Sequence, residues 1–166
     1  MSDLIQDHLS ENQYWMQQAI DLARRGQYST KPNPNVGCVI VKDGKIIGEG
    51  FHPKAGQPHA EVFALRQAGE NAKDATAYVT LEPCAHFGRT PPCAEALVKA
   101  QVKKVVVACS DPNPLVAGKG VKILQDAGIE VETGICDKEA KTLNFGFLKA
   151  MSTGLPYVRL KIASSL

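Results

Sequence analysis

The reading turns on His59-Ala60-Glu61-Val62 and on Thr80-Leu81-Glu82-Pro83-Cys84, which is followed after eight intervening residues by Cys93. One imidazole and two thiolates close three corners of a zinc tetrahedron and leave the fourth to water, the ligand count of a catalytic zinc rather than a structural one. Glu61 is then the proton carrier, a carboxylate beside the metal that is not itself a ligand. Residues two apart on a regular helix face nearly opposite ways, so His59 and Glu61 share a site only if His59 lies at the very first turn. Pro58 favours that arrangement, because proline is well suited to open a helix. A structural zinc would need a fourth protein ligand. Cys38, Cys109 and His86 stay open for that place, although none has the close spacing of a metal finger.

Outward from this stretch the chain alternates. Trp15, Ala19, Ile20, Leu22 and Ala23 fall on one face of residues 11–27, with Gly26 near the end, which predicts a surface helix packed on a sheet. Pro32 and Pro34 make residues 30–35 a loop. Val36 to Val41, the Asp43-Gly44 pair and Lys45 to Phe51 predict a β-hairpin with a type I′ turn. A helix over 59–68, stopped by Gly69, and a strand over 75–81 follow. After a Gly- and Pro-rich excursion over 85–92, a helix over about 92–101 puts Cys93 near a helix N-terminus, where free amides favour a thiolate. The remainder predicts a strand 104–109, a loop holding Asp111-Pro112-Asn113-Pro114, a helix 119–127, a strand 129–133, a helix 137–152 and a strand 156–163. A hairpin followed by such alternation implies the α/β class: a mixed, mainly parallel sheet with helices on both faces. Ligands in such sheets bind beyond the carboxyl ends of strands, so the Cys84 and Asp111 loops can meet at one crevice.

Composition limits the alternatives. A chain of 166 residues with 44% hydrophobic content suits one compact domain. The net charge of +2, with Lys and Arg scattered rather than striped, argues against a nucleic-acid partner. Met1 to Asp7 carry neither a basic leader nor an apolar run, and no stretch reaches transmembrane length, so a cytoplasmic protein without a membrane partner is expected. Five cysteines with no disulfide spacing predict reduced thiols, with Cys38, Cys109 and Cys136 as small core residues.

His-x-Glu followed by Pro-Cys and a second cysteine is the pattern of zinc-dependent nucleobase deaminases, here with the usual two-residue spacer lengthened to eight. Pro32 to Ile40, His59 to Val62, Thr80 to Cys93, Asp111 to Gly118 and Leu143 to Phe147 together resemble the pyrimidine deaminase of riboflavin biosynthesis, the N-terminal half of a bifunctional deaminase-reductase. The likeness runs from about residue 12 to the end, and the long spacer is that family's own variant. It implies a three-layer cytidine-deaminase-like fold, one zinc per chain on His59, Cys84 and Cys93, and Glu61 as the catalytic residue. The implied substrate is 2,5-diamino-6-ribosylamino-4(3H)-pyrimidinone 5′-phosphate, which loses its ring amine as ammonia. The resemblance also implies a homo-oligomer, dimer or tetramer. It divides the chain into a deaminase domain over 1–153 and a terminal segment over 154–166 that resembles the first strand of the reductase. NADPH belongs to that reductase, and no reductase activity is expected of this chain alone. The rival reading is a zinc deaminase for another base: cytidine, guanine or adenosine in tRNA. Arg89 and the long zinc loop favour a phosphorylated small molecule, and a tRNA enzyme should show a basic stripe.

Six further residues are assigned to substrate by the same resemblance. Asn33 contacts the ribityl or phosphate portion, or is a plain turn asparagine. His52 and His86 resemble pocket residues, although a loop histidine is ordinarily just solvated. Arg89 supplies the fixed cation that a phosphate needs, or is one surface arginine among several. Asp111 and Asn113 stand beyond a strand end where a ribose hydroxyl or base edge can be read, or form Asx turns before proline. Lys119, between two glycines, hints at anion binding; Phe145, Phe147, Leu148 and Met151 read as helix core.

Overall fold

The structure is a computed structural model and describes residues 9–87 and 91–164. Helix α1 (Glu11–Arg24) opens on a capping box, in which the Ser10 hydroxyl accepts from the Gln13 amide while the Gln13 side chain accepts from the Ser10 amide. Its buried stripe is Met16, Ala19, Ile20 and Ala23, so Met16 holds the core position and Trp15 and Leu22 only flank it. The hairpin of β1 (Gly37–Lys42) and β2 (Lys45–Phe51) turns at Asp43 and Gly44, both at positive φ (52° and 69°), as a type I′ turn requires. Then come α2 (Ala60–Ala68), a single 3-10 turn, β3 (Thr76–Leu81), α3 (Cys93–Lys99), β4 (Lys104–Cys109), α4 (Lys119–Asp126) and β5 (Glu130–Thr133).

The five strands lie in the order β2-β1-β3-β4-β5. Pairing is antiparallel for β2-β1 and β1-β3 and parallel for β3-β4 and β4-β5. The sheet is thus mixed, as expected, with the parallel share half rather than most, because β1 runs against β3 as well as against β2. Alternate residues of the central strands feed two cores. Cys38, Ile40, Val79, Val105 and Val107 pack under α2, α3 and α4, while Val39, Tyr78, Val106 and Ala108 pack under α1 and a helix from the C-terminal region. Close approach of backbone to backbone sets the first layer: a Cβ on Gly37 would stand 1.9 Å from the Ala19 carbonyl oxygen. Among the described residues no helix is long and apolar enough to cross a membrane.

This topology collects one edge. Leu81 at the end of β3 pairs with Cys109 at the end of β4, so both following loops leave the sheet side by side. Because β1 is antiparallel to β3, its start arrives at the same edge, where the Gly37 amide donates to the Thr80 hydroxyl at 3.1 Å. Gly37 pairs with Phe51, which delivers His52 there too.

Three expectations for the C-terminal region are corrected. The helix expected over 137–152 is two helices, α5 (Asp137–Leu143) and α6 (Phe145–Thr153), broken at Asn144. Asn144 is buried, and its side-chain amide grips the backbone of Asn35 from both sides: Asn144 Oδ1 accepts from the Asn35 amide at 2.7 Å, and Asn144 Nδ2 donates to the Asn35 carbonyl at 2.8 Å. Asn35 Nδ2 adds a bond to the Leu143 carbonyl. Meeting these partners turns the chain out of the helix. The strand expected over 156–163 does not form; residues 154–164 are exposed and irregular, since no described strand stands beside them to complete a ladder. The Phe145, Phe147, Leu148 and Met151 group is likewise no core, for α6 has no buried residue.

Asn144→Ala leaves the buried Asn35 amide and carbonyl without partners, and should lower unfolding stability by about 2–4 kcal/mol in a urea titration. A change below about 0.5 kcal/mol, the size of an ordinary surface substitution, would show that the clamp is not holding the two segments together.

Candidate metal centre and cavity

His59 is the N-cap of α2, with extended backbone at φ −73° and ψ 164°, and Glu61 lies in the helix's first turn. That half-in position is how residues two apart come to one site. Cys93 is the first residue of α3, after Pro92 at the N-cap. Two amides at the head of α3 stitch it to the other cysteine: Cys93 N–H donates to Cys84 Sγ at 3.2 Å and Ala94 N–H to the Cys84 carbonyl at 3.2 Å. His59 Nδ1 then stands 3.7 Å from Cys84 Sγ and 3.3 Å from Cys93 Sγ, and the three donor atoms lie within 4.8 Å of one another.

Such a set fits zinc. Ligand lengths of about 2.3 Å to sulfur and about 2.0–2.1 Å to nitrogen, at tetrahedral angles, put neighbouring donors about 3.6 Å apart. The electrostatics agree with a cation site. The Cys84 thiol is pulled down to about 4 by its hydrogen bonds with Cys93 and His59, against burial. Cys93 is pushed up by its bond to Cys84 and by burial, and His59 is raised by its contact with Cys84. Metal binding requires both thiols deprotonated and the imidazole neutral, so a divalent cation would displace protons from this cluster. Among the described residues no fourth protein donor closes the site: Cys38 is in the core, Cys109 donates its S–H to the Thr80 carbonyl, and His86 is exposed. Cys38 and Cys109 thus sit in the core as expected, whereas Cys136 is only half-buried, at the N-cap of α5.

Glu61 is 3% exposed, and its Oε2 has no hydrogen-bond partner. Burial raises its pKa, opposed by its own backbone amide and by His59. A buried carboxylate oxygen without a donor is costly and calls for a proton-bearing partner from outside the protein.

His59, Glu61 and Cys84 line a cavity of about 300 Å³, together with Asn33, His52, His86, Asp111 and Asn113. His52 is buried; its Nδ1 lies 3.0 Å from the Pro58 carbonyl and its Nε2 3.1 Å from Asn33 Nδ2. The bonding assigns the proton to Nδ1, leaves Nε2 to accept from Asn33, and so turns the Asn33 amide oxygen away from the histidine. Burial lowers the His52 pKa, a shift that favours the neutral ring. Asp111 and Asn113 do form Asx turns, accepting from the Asn113 and Leu115 amides at 2.8 and 3.0 Å, and they line the cavity as well. Arg89 lies outside the described residues.

Of the lining residues that escaped the sequence reading, three shape the site most. Phe147 and Met151 of α6 come to the cavity only because Asn144 breaks the helix before them. Glu82 is the third. It is 6% exposed, and its two carboxylate oxygens take the amides of Asp111, Gly118, Gly120 and Val121 at 3.1–3.3 Å. The head of α4, where Lys119 hinted at an anion site, is therefore filled by the protein's own carboxylate. An acidic residue just past a β-strand, ahead of Gly118-Lys119-Gly120, was the available signal.

Comparison with known proteins gives the same picture. The family described as "cytidine and deoxycytidylate deaminase zinc-binding region" matches residues 9–109. The riboflavin biosynthesis protein RibD of Haemophilus influenzae is 64% identical over 157 residues, which cover 95% of this chain and 42% of that protein. A diaminohydroxyphosphoribosylamino-pyrimidine deaminase of Buchnera aphidicola (subsp. Schizaphis graminum) is 53% identical, covering 88% of this chain and 99% of that protein. Among solved structures, RibD of Acinetobacter baumannii superposes with a TM-score of 0.91 at 84% identity, over 93% of this chain and 44% of that one. The chain thus spans under half the length of the RibD proteins it matches.

Replacing Cys93 or His59 with Ala should reduce bound zinc, by elemental analysis of thiol-protected protein, from about one per chain to a small fraction. Full stoichiometry in either variant would contradict the donor set.

Proposed function

The chain belongs to the cytidine and deoxycytidylate deaminase zinc-binding family and within it to the deaminases of riboflavin biosynthesis, and on that footing we propose the reaction it runs. It hydrolyses the ring amine of 2,5-diamino-6-ribosylamino-4(3H)-pyrimidinone 5′-phosphate, giving 5-amino-6-ribosylamino-2,4-pyrimidinedione 5′-phosphate and ammonia. One observation carries this reading: a His/Cys/Cys donor set and a buried carboxylate with an unpartnered oxygen face one cavity.

His59, Cys84 and Cys93 hold the zinc, which when bound supplies a Lewis acid that makes water a nucleophile near neutral pH. Glu61 takes the proton of the attacking water and hands it to the ring nitrogen beside the amine-bearing carbon. The second proton of that water, from the hydroxyl now on the ring carbon, passes to the exocyclic amine, and the C–N bond breaks to release ammonia as the ring carbonyl forms. Burial, by raising the Glu61 pKa, brings the protonated half of this cycle within reach. Asn33, oriented by His52, reads the ribosylamino portion; Asp111 and Asn113 face the base edge, and His86 lies at the exposed side of the cavity. Phe147 and Met151 cover the apolar wall and help exclude water.

The phosphate needs a cation, and the described cavity lining contains neither Lys nor Arg. That role falls to Arg89, which stands between the two cysteines in the sequence. The same proposal takes the protein to be a cytoplasmic homo-oligomer, dimer or tetramer, with no nucleic-acid partner. It assigns residues 1–153 to the deaminase domain and residues 154–166 to a segment resembling the first strand of a reductase domain.

Glu61→Gln should lower the rate of ammonia release by about 10²–10⁴-fold while the zinc content holds at one per chain. Undiminished turnover in that variant would remove Glu61 from the mechanism. Arg89→Ala should raise KM for the phosphorylated substrate about tenfold or more and leave a dephosphorylated analogue unaffected. Equal effects on both would take the phosphate contact away from Arg89.

A further inference from the structure

Glu82 lies between the last residue of β3 and the Pro83-Cys84 pair, at the point where the metal-ligand loop leaves the sheet. Its carboxylate does not serve that loop. Oε2 accepts from the Asp111 and Gly118 amides, both at 3.1 Å, and Oε1 from the Gly120 and Val121 amides at 3.1 and 3.3 Å. A carboxylate offers about four lone-pair sites, and four donors fill them. Glu82 therefore has no capacity left for a substrate group, although it borders the cavity.

A second observation ties the same two segments. A Cβ on Gly120 would stand 1.9 Å from the Pro83 carbonyl oxygen and 3.4 Å from Glu82 Cγ, so the first turn of α4 sits directly on the Glu82-Pro83 backbone. Asp111 opens the loop that this latch closes and Gly118 ends it; between them stand Asn113 and Val116, both on the cavity wall. The loop's own bonds are local Asx and turn bonds: Asn113 N–H to Asp111 Oδ1, Leu115 N–H to Asn113 Oδ1, and the Val116 and Ala117 amides to the Asn113 carbonyl. These shape the loop without saying where it sits on the sheet.

We propose that Glu82 is a positioning residue for substrate recognition: it locks the 111–118 loop against the metal-ligand loop and thereby sets Asp111 and Asn113 at their places on the cavity wall. The inference rests on the deaminase reading for its kinetic test and on geometry alone for its structural one. Glutamine at this position keeps the shape but has one oxygen and one NH₂, so one of the two amide pairs would face donors instead of an acceptor.

Amide hydrogen exchange is the structural test, made first on the unaltered zinc-loaded protein. Asp111, Gly118, Gly120 and Val121 should all be protected, and exchange at the rate of open loop amides would overturn the latch whatever any variant does. In Glu82→Gln, Asp111 and Gly118, or Gly120 and Val121, should lose protection while Val106 and Val107 of β4 keep theirs. Uniform loss across β4 would make Glu82 a stability residue only and overturn the proposal. In the ammonia-release assay, Glu82→Gln should raise KM about tenfold or more with kcat changed less than about threefold and zinc still at one per chain. Loss of zinc, or a fall in kcat with KM unchanged, would mean that Glu82 acts through Cys84, against the proposal. In an Asp111→Ala, Asn113→Ala background the same substitution should add less than about twofold to KM; a full additive effect would separate Glu82 from that loop. Should the unaltered chain release no ammonia from this substrate, the deaminase reading fails and the exchange pattern still decides the latch.

Discussion

Strand β3 pairs antiparallel with β1 on one side and parallel with β4 on the other, and the site depends on that mixed position. The parallel side sends the loops after Leu81 and Cys109 out together. On its antiparallel side the start of β1 and the end of β2 return to the same edge, bringing Asn33 and His52. An all-parallel sheet would have put the start of β1 at the opposite end. With β3 as it is, these four stretches of chain converge without any long loop having to reach across the molecule.

What converges is unusually polar for a protein interior, and the structure treats its two buried carboxylates in opposite ways. Glu82 is surrounded by four backbone amides and is fully bonded. Glu61 keeps one oxygen without any donor. Complete hydrogen bonding rigidifies a buried group, whereas incomplete bonding leaves one ready to exchange a proton. The same division runs through the nitrogens: His52 is engaged at both ring atoms, by Pro58 and Asn33, while His59 turns Nδ1 to the two sulfurs. Residues that hold the cavity in shape are satisfied by the protein, whereas Glu61, the proposed proton carrier, keeps an oxygen free.

Much of this was legible from local chemistry. Asp43-Gly44 announces a turn whose two residues need positive φ, and they have it. Pro58 foretold that His59 would stand at the head of its helix, and the proline before Cys93 marks the start of α3. The chain was less readable where a partner lies far away in sequence. Asn144 sits inside a stretch of helical periodicity, and only Asn35, 109 residues earlier, makes it a break. Phe147 and Met151 passed for helix core for the same reason. Residues 157–162 have strand character, but a strand needs a neighbour and the described sheet offers none there. Glu82 was read as part of a motif, since nothing local reveals that the amides it accepts lie 29 to 39 residues further on.

X-ray absorption at the zinc edge is the most direct measurement of the central claim, that this edge of the sheet builds an open metal site with a proton carrier beside it. The zinc-loaded chain should show two sulfurs at about 2.3 Å and two nitrogen or oxygen neighbours at about 2.0–2.1 Å, His59 supplying one and an exchangeable ligand the other. Three or more sulfurs would mean that Cys38, Cys109 or Cys136 closes the site as a structural one, and the catalytic account would fall.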